Sequence, residues 1–122
     1  MSCRIEYDVR EGLLEAQVSG RSSLADAAWV ARNIAEQAGA WMLERVLIDV
    51  RELADRVGTL ATLSMADGRG GRVRGYRVAV VDSGANDQYY AFAESAARRR
   101  GCRLRRFSDR RAAADWLKHG AD

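Results

Sequence analysis

Apolar and polar residues alternate through Arg4-Ile5-Glu6-Tyr7-Asp8-Val9, break at Glu11-Gly12, and resume in Leu13-Leu14-Glu15-Ala16-Gln17-Val18. A period of two on either side of a glycine-bearing turn predicts an opening β-hairpin. The period then lengthens. Leu24, Ala27, Ala28, Ala31, Ile34, Ala35 and Ala38 recur at three- and four-residue spacing behind Ser22-Ser23, with Asp26 placed as a capping-box acid; this predicts a helix closed by Gly39. Arg45-Val46-Leu47-Ile48-Asp49-Val50 and Tyr76-Arg77-Val78-Ala79-Val80-Val81-Asp82 are short, nearly continuous apolar runs rich in β-branched residues, the pattern of strands covered on both faces.

Between these two runs, Val57, Leu60, Ala61, Leu63, Ser64 and Met65 suit a short helix, although Gly58 and two threonines weaken the pattern. Four glycines between Gly68 and Gly75 then impose a loop. After a Ser83-Gly84-Ala85-Asn86 turn, a helix is predicted from Asp87 to Arg100, with Tyr90, Ala93, Ala96 and Ala97 inward and Gly101 ending it. Cys102 to Phe107 reads as a last strand, and Ser108 as the cap of a last helix with Ala112, Ala113, Trp116 and Leu117 facing in. The resulting order is ββαβαβαβα. It predicts an α/β domain: a five-stranded, mostly parallel sheet with an N-terminal hairpin and about four helices.

A chain of 122 residues, 48% hydrophobic and 30% charged, fits one domain with a true core and excludes a disordered chain. No apolar run approaches the ~18 residues of a membrane span, and the first residues lack the apolar stretch of a secretion signal. A cytoplasmic protein is expected. Cys3, Cys102 and His119 supply too few donors for a structural zinc site and no disulfide framework. The net charge of +3 is unevenly placed: eight arginines between Arg98 and Arg111 oppose Asp109 alone, leaving +7 in that stretch. Such a cluster attracts phosphates, acidic proteins or anionic surfaces. However, Lys118 is the sole lysine of the chain, so the arginines follow a bias of the whole sequence. A solvated face outweighs nucleic-acid binding as the reading of this cluster.

The element order, the runs ending in Asp49 and Asp82, and the closing passage from Gly101 through Phe107-Ser108-Asp109 to Trp116-Leu117 together resemble the SpoIIAA-like branch of the STAS superfamily. The resemblance spans roughly Tyr7 to Leu117 and rests on packing motifs. It implies a non-enzymatic regulatory or protein-interaction module. Members acting as anti-sigma-factor antagonists carry an Asp-Ser-Ser-Gly-like motif after the central strand, whose second serine is phosphorylated at a helix N-terminus. The matching segment here is Asp55-Arg56-Val57-Gly58. The acid and the glycine are present, but Val57 has no hydroxyl, so the resemblance implies the surface without its phosphoacceptor serine. Thr59, one residue beyond Gly58, is the nearest alternative acceptor, weighed against a packing role in the helix.

No residue set points to a reaction or to a cofactor. Asp49 and Asp82 both stand at predicted carboxyl ends of parallel strands, where open α/β sheets bind ligands. Two acids without a nucleophile or base define no chemistry, and capping of the following loops is the simpler role. The glycine-rich loop matches neither phosphate-binding motif and leads into a strand. Cys102 alternates with Leu104 as a small buried side chain, Cys3 lies near the terminus, and His119 sits where an imidazole caps the last helical carbonyls. Trp29 and Trp41 fall off the apolar stripe of their helix, which suggests exposed rings at a partner surface, with a homodimer contact and simple packing across the sheet as equal alternatives. The candidate partner or ligand surface is therefore Asp49, Asp55, Val57, Gly58, Thr59 and Asp82. Its expected occupant is a protein partner or a second copy, with a small molecule or lipid as the alternative.

Overall fold

The computed structural model describes residues 3–21, 24–54, 75–82, 87–99 and 101–120. Strands β1 (Cys3–Arg10) and β2 (Leu13–Arg21) form the predicted hairpin, Arg10 pairing with Leu13 across a two-residue turn. Glu11 and Gly12 have φ of 56° and 79°. Two successive positive φ values are the signature of a type I′ turn, whose twist matches that of the strands it joins. Helix α1 (Leu24–Trp41) follows, then β3 (Arg45–Ala54), β4 (Arg77–Val81), α2 (Asp87–Arg99), β5 (Arg103–Phe107) and α3 (Arg110–His119).

The five strands lie in the order β1-β2-β3-β4-β5, antiparallel only between β1 and β2. Arg45 to Asp49 runs alongside Arg77 to Val81 in the same direction at the centre, as their apolar character predicts. Three helices occur among the described residues; the short helix expected over 57–67 lies outside them, as do Ser22-Ser23 and most of the glycine-rich loop. No described helix is long and apolar enough to cross a membrane.

Alternation along the strands sends side chains to two cores. Leu14, Ala16, Val18, Val46, Ile48, Val50, Val80 and Leu104 face α1 and α2, meeting Val30, Ile34, Ala38, Tyr90 and Ala97. Leu13, Leu47, Ala79 and Val81 face α3, meeting Ala113, Trp116 and Leu117. Each fully buried aliphatic side chain contributes about 1.5–3 kcal/mol relative to exposure, which is why strands apolar on both faces take the centre of the sheet. Although near the terminus, Cys3 is part of β1. It is buried opposite Gly20 in the first core, and neither cysteine is in a disulfide.

Several local expectations are corrected. The inward stripe of α1 runs through Val30, Ile34 and Ala38, turning Ala35 outward; Ala112 is likewise exposed on α3. Helix α1 does not stop at Gly39 but continues to Trp41. The Met42 N–H donates to Gly39 O (3.1 Å) and the Leu43 N–H to Ala38 O (3.0 Å). This is a Schellman closure with Met42, at φ 57°, in the left-handed position. Helix α2 closes identically, Gly101 N–H to Arg98 O and Cys102 N–H to Ala97 O, with glycine in that position. A side chain costs about 1–2 kcal/mol in this conformation, and Met42 is 88% exposed. Met42→Gly is therefore expected to stabilise the fold by about 1 kcal/mol and raise Tm by about 3–5 °C. An unchanged or lowered Tm in a calorimetric scan would contradict it.

Helix α3 is capped by Asp109 rather than Ser108: its carboxylate accepts from the N–H groups of Arg111 (3.1 Å) and Ala112 (3.3 Å). A carboxylate at that place also meets the positive end of the helix dipole. Ser108 instead accepts from the Arg106 guanidinium. At the other end His119 is exposed, and Arg77 serves the last carbonyls, donating to Trp116 O (3.3 Å) and to Gly120 O.

Candidate functional site

Asp49 and Asp82 are both buried, at 1% and 0% exposure, yet the structure does not bring them together. Asp49 shares the face of Leu47, toward α3, whereas Asp82 follows the parity of Val80, toward α1 and α2. Asp49 is opposite Val81 in the ladder, so the two carboxylates leave opposite faces of adjacent strands at nearly the same height. One crevice lined by both is ruled out by the pleat.

Asp82 directly follows β4 and accepts a hydrogen bond from Tyr90 Oη at 2.5 Å. Its main chain extends the ladder, the N–H reaching Phe107 O (2.9 Å) and the carbonyl taking the Arg106 guanidinium (3.2 Å). It fastens the start of α2 to the end of the sheet.

Asp49 is not the end of its strand, since β3 continues to Ala54. A bulge immediately after it explains its environment. The pairing passes from Gln17 with Asp49 to Ser19 with Glu52, so β3 places Val50 and Arg51 opposite Val18 alone. The extra residue frees a main-chain N–H from the ladder. That of Arg51 turns to Asp49 Oδ1 (3.1 Å), while its guanidinium grips both carboxylate oxygens, Nε to Oδ1 at 3.1 Å and Nη2 to Oδ2 at 2.8 Å. From the first turn of α3, Arg110 adds Nη1 to Asp49 Oδ2 (3.0 Å) and to Gln17 Oε1 (3.2 Å), and Nη2 to Glu15 Oε1 (2.9 Å). Burial by itself raises the Asp49 pKa. The hydrogen bonds from Arg51 and Arg110 outweigh it and leave the carboxyl below its ordinary value, ionised and fixed.

On the α3 side of the hairpin the described residues present a polar face. Glu6, Asp8, Arg10, Glu15, Gln17 and Arg110 line a groove of about 330 Å³. Asp8 is held by Arg10, whose hydrogen bond and charge lower its pKa. On the other face Tyr7 donates to Asn33 Oδ1; burial, then the charge of Glu36, pushes its phenol far up, so it remains a donor. Among the described residues no group of three or more His, Cys, Asp or Glu side chains gathers as metal donors. Asp8, Glu15 and Asp49 are engaged by arginines, so these acids act as parts of a charged framework.

Asp55, Val57, Gly58 and Thr59 lie outside the described residues, directly beyond the carboxyl end of β3. The arginine cluster divides. Arg106 and Arg110 are half-buried, Arg106 joining Asp82 O to Ser108 Oγ and Arg110 joining α3 to the sheet, while the side chains of Arg98, Arg99, Arg103, Arg105 and Arg111 are exposed. Of the aromatics, Trp29 packs against the first core and Trp41 is 56% exposed, adjoining Met42.

The roles of Arg51 and Arg110 escaped the sequence reading. One signal was available: Arg110 and Arg111 occupy the first turn of α3, where cations oppose the helix dipole and the Asp109 cap is the one acid offsetting them. A misplaced cation implies a partner elsewhere.

No protein-family model and no curated protein sequence matches this chain. Solved structures do. An anti-sigma factor antagonist from Mycobacterium paratuberculosis superimposes with a TM-score of 0.63 over 96% of this chain and 95% of its own, at 13% identity. An uncharacterized protein with a SpoIIAA-like fold from Shewanella loihica does so with a TM-score of 0.60 over 95% and 93%, at 19% identity. Both alignments run nearly end to end through the hairpin, the parallel strands and the closing helix. The chain therefore has the STAS, SpoIIAA-like fold.

Proposed function

We propose that this chain is a non-enzymatic regulatory module that acts by binding another protein through the surface beyond the carboxyl end of β3, around Asp55, Val57, Gly58 and Thr59. The observation that carries this reading is the nearly full-length likeness to an anti-sigma factor antagonist. It is supported by what Asp49 and Asp82 do: each is spent on holding elements together, Asp49 with Arg51 and Arg110, Asp82 with Tyr90. With valine at position 57, recognition here does not run through a serine phosphate.

Affinity capture from native lysate with the wild-type chain and with Val57→Arg tests the reading. A protein retained by the wild type and lost from the variant is the expected result, with no phosphate between Asp55 and Thr62 by mass spectrometry after treatment with a cognate kinase. Co-purification of a small molecule or lipid without any protein would replace this reading with a ligand-binding one, and phosphate on Thr59 would restore a switch.

A further inference from the structure

Among the described residues no strand pairs with the outer side of β5, and a basic groove runs along that edge. Arg103 N–H donates to Tyr76 O (2.9 Å) and Phe107 O accepts from Asp82 N–H (2.9 Å), so residues 103, 105 and 107 pair with β4. The main-chain groups of Cys102, Leu104 and Arg106 consequently turn outward. Cys102 N–H is taken by Ala97 O in the closure of α2. Arg106 N–H meets a carboxylate oxygen of Glu94 at 3.4 Å. Leu104 N–H has no partner among the described residues. Along this edge lies a cavity of about 510 Å³ whose lining includes Leu104, Trp116, Arg98, Arg103, Arg105 and one acid, Glu94.

We propose that the outer edge of β5 is a docking edge for an extended, acidic segment of a partner protein, which pairs with Leu104 as an added strand and lays its carboxylates between Arg98 and Arg105. This goes beyond the reading above: it uses a different surface and rests only on the chain being a protein-binding module. Charge selects the occupant. A second copy pairing through its own β5 would set arginine beside arginine, so the edge rejects itself while remaining open to an acid. Glu94 already illustrates the preference, as its carboxylate occupies one outward N–H of this edge. The alternation of outward main chain and arginine side chains suits a strand, in which main-chain bonds give affinity and side chains give selectivity.

The probe is a short, acetylated peptide alternating valine and glutamate, with a valine–lysine peptide and a single-stranded thymidine oligonucleotide as comparisons, read by amide NMR and hydrogen exchange on the whole chain. Salt-sensitive binding of the glutamate peptide alone, with slowed exchange at the Leu104 amide, is expected. Arg98→Glu with Arg105→Glu, both at exposed positions, should weaken it about tenfold or more while leaving the remaining spectrum in place. Equal binding of the lysine peptide, preference for the oligonucleotide, an unprotected Leu104 amide, or no binding at all would each overturn the proposal. The Val57→Arg variant should bind the peptide normally, which separates failure here from failure at the other surface.

Discussion

Removing both Arg51 and Arg110 as alanines is expected to cost about 3–5 kcal/mol of folding stability, more than removing Asp49 itself. The asymmetry follows from exposure. The two guanidinium side chains are 45% and 36% exposed and can return to water, whereas the Asp49 side chain is 1% exposed and cannot. Losing the arginines leaves a buried carboxylate with one main-chain N–H for company; losing the aspartate leaves two cations that rehydrate. The pH dependence should differ in sign. In the wild type, Asp49 titrates below its ordinary value of 3.8, so its contribution is complete above that value and fades as the pH falls through the lower, folded-state value. In the double variant burial prevails and raises the value, so ionisation opposes folding at neutral pH and protonation relieves it. Urea titrations at about pH 7 and about pH 5 should therefore show the gap between variant and wild type narrowing on acidification. A gap that is constant or widens would mean that Asp49 is not held by these two residues.

Trp116→Ala should cost about 3–5 kcal/mol by opening a cavity under α3. The indole is 91% buried, packs against the Phe107 ring at 5.6 Å with a 45° tilt, and lies beneath the Arg77 guanidinium at 5.4 Å. At Gly120 the chain passes so close that an added Cβ would fall 2.5 Å from Trp116 Cδ1, which ties the end of α3 to the same ring. Because α3 also carries Arg110, loosening it should release Asp49 from one of its partners. The amides of Arg110–His119 are then expected to exchange faster, together with a rise in the Asp49 pKa. Trp116→Phe should be far milder, about 1.5 kcal/mol or less, since the buried Nε1 has no hydrogen-bond partner among the described residues. Comparable losses for alanine and phenylalanine would show that the ring volume does not hold this helix.

Most of the architecture was legible because it rests on periodicity. Alternation around Glu11-Gly12 announced the hairpin, and Val46 to Ile48 and Val78 to Val81, too apolar for a one-sided strand, announced a covered sheet. Boundaries were less legible. Gly39 looked like a helix end, but tertiary packing of Ala38 and Leu43 carries α1 one half-turn further and forces Met42 into the conformation that Gly101 adopts freely in the closure of α2. Ser108 and Asp109 both qualify as caps, and the Arg106 guanidinium, arriving from β5, engages Ser108 and leaves Asp109 to cap the helix.

The candidate site shows the same division more sharply. Asp49 and Asp82 could be singled out as acids following apolar runs, but not their separation onto opposite faces, because the face of each depends on the relative register of β3 and β4. Sequence alone determined that this chain builds a helix-covered, mostly parallel sheet with a leading hairpin, since burial of apolar surface is read directly from spacing. Only the tertiary structure decided which arginines serve as struts and which meet solvent. Arg110 lies 61 residues from Asp49 along the chain, and a contact at that separation arises from chain path and a single bulge in β3, neither of which leaves a local trace.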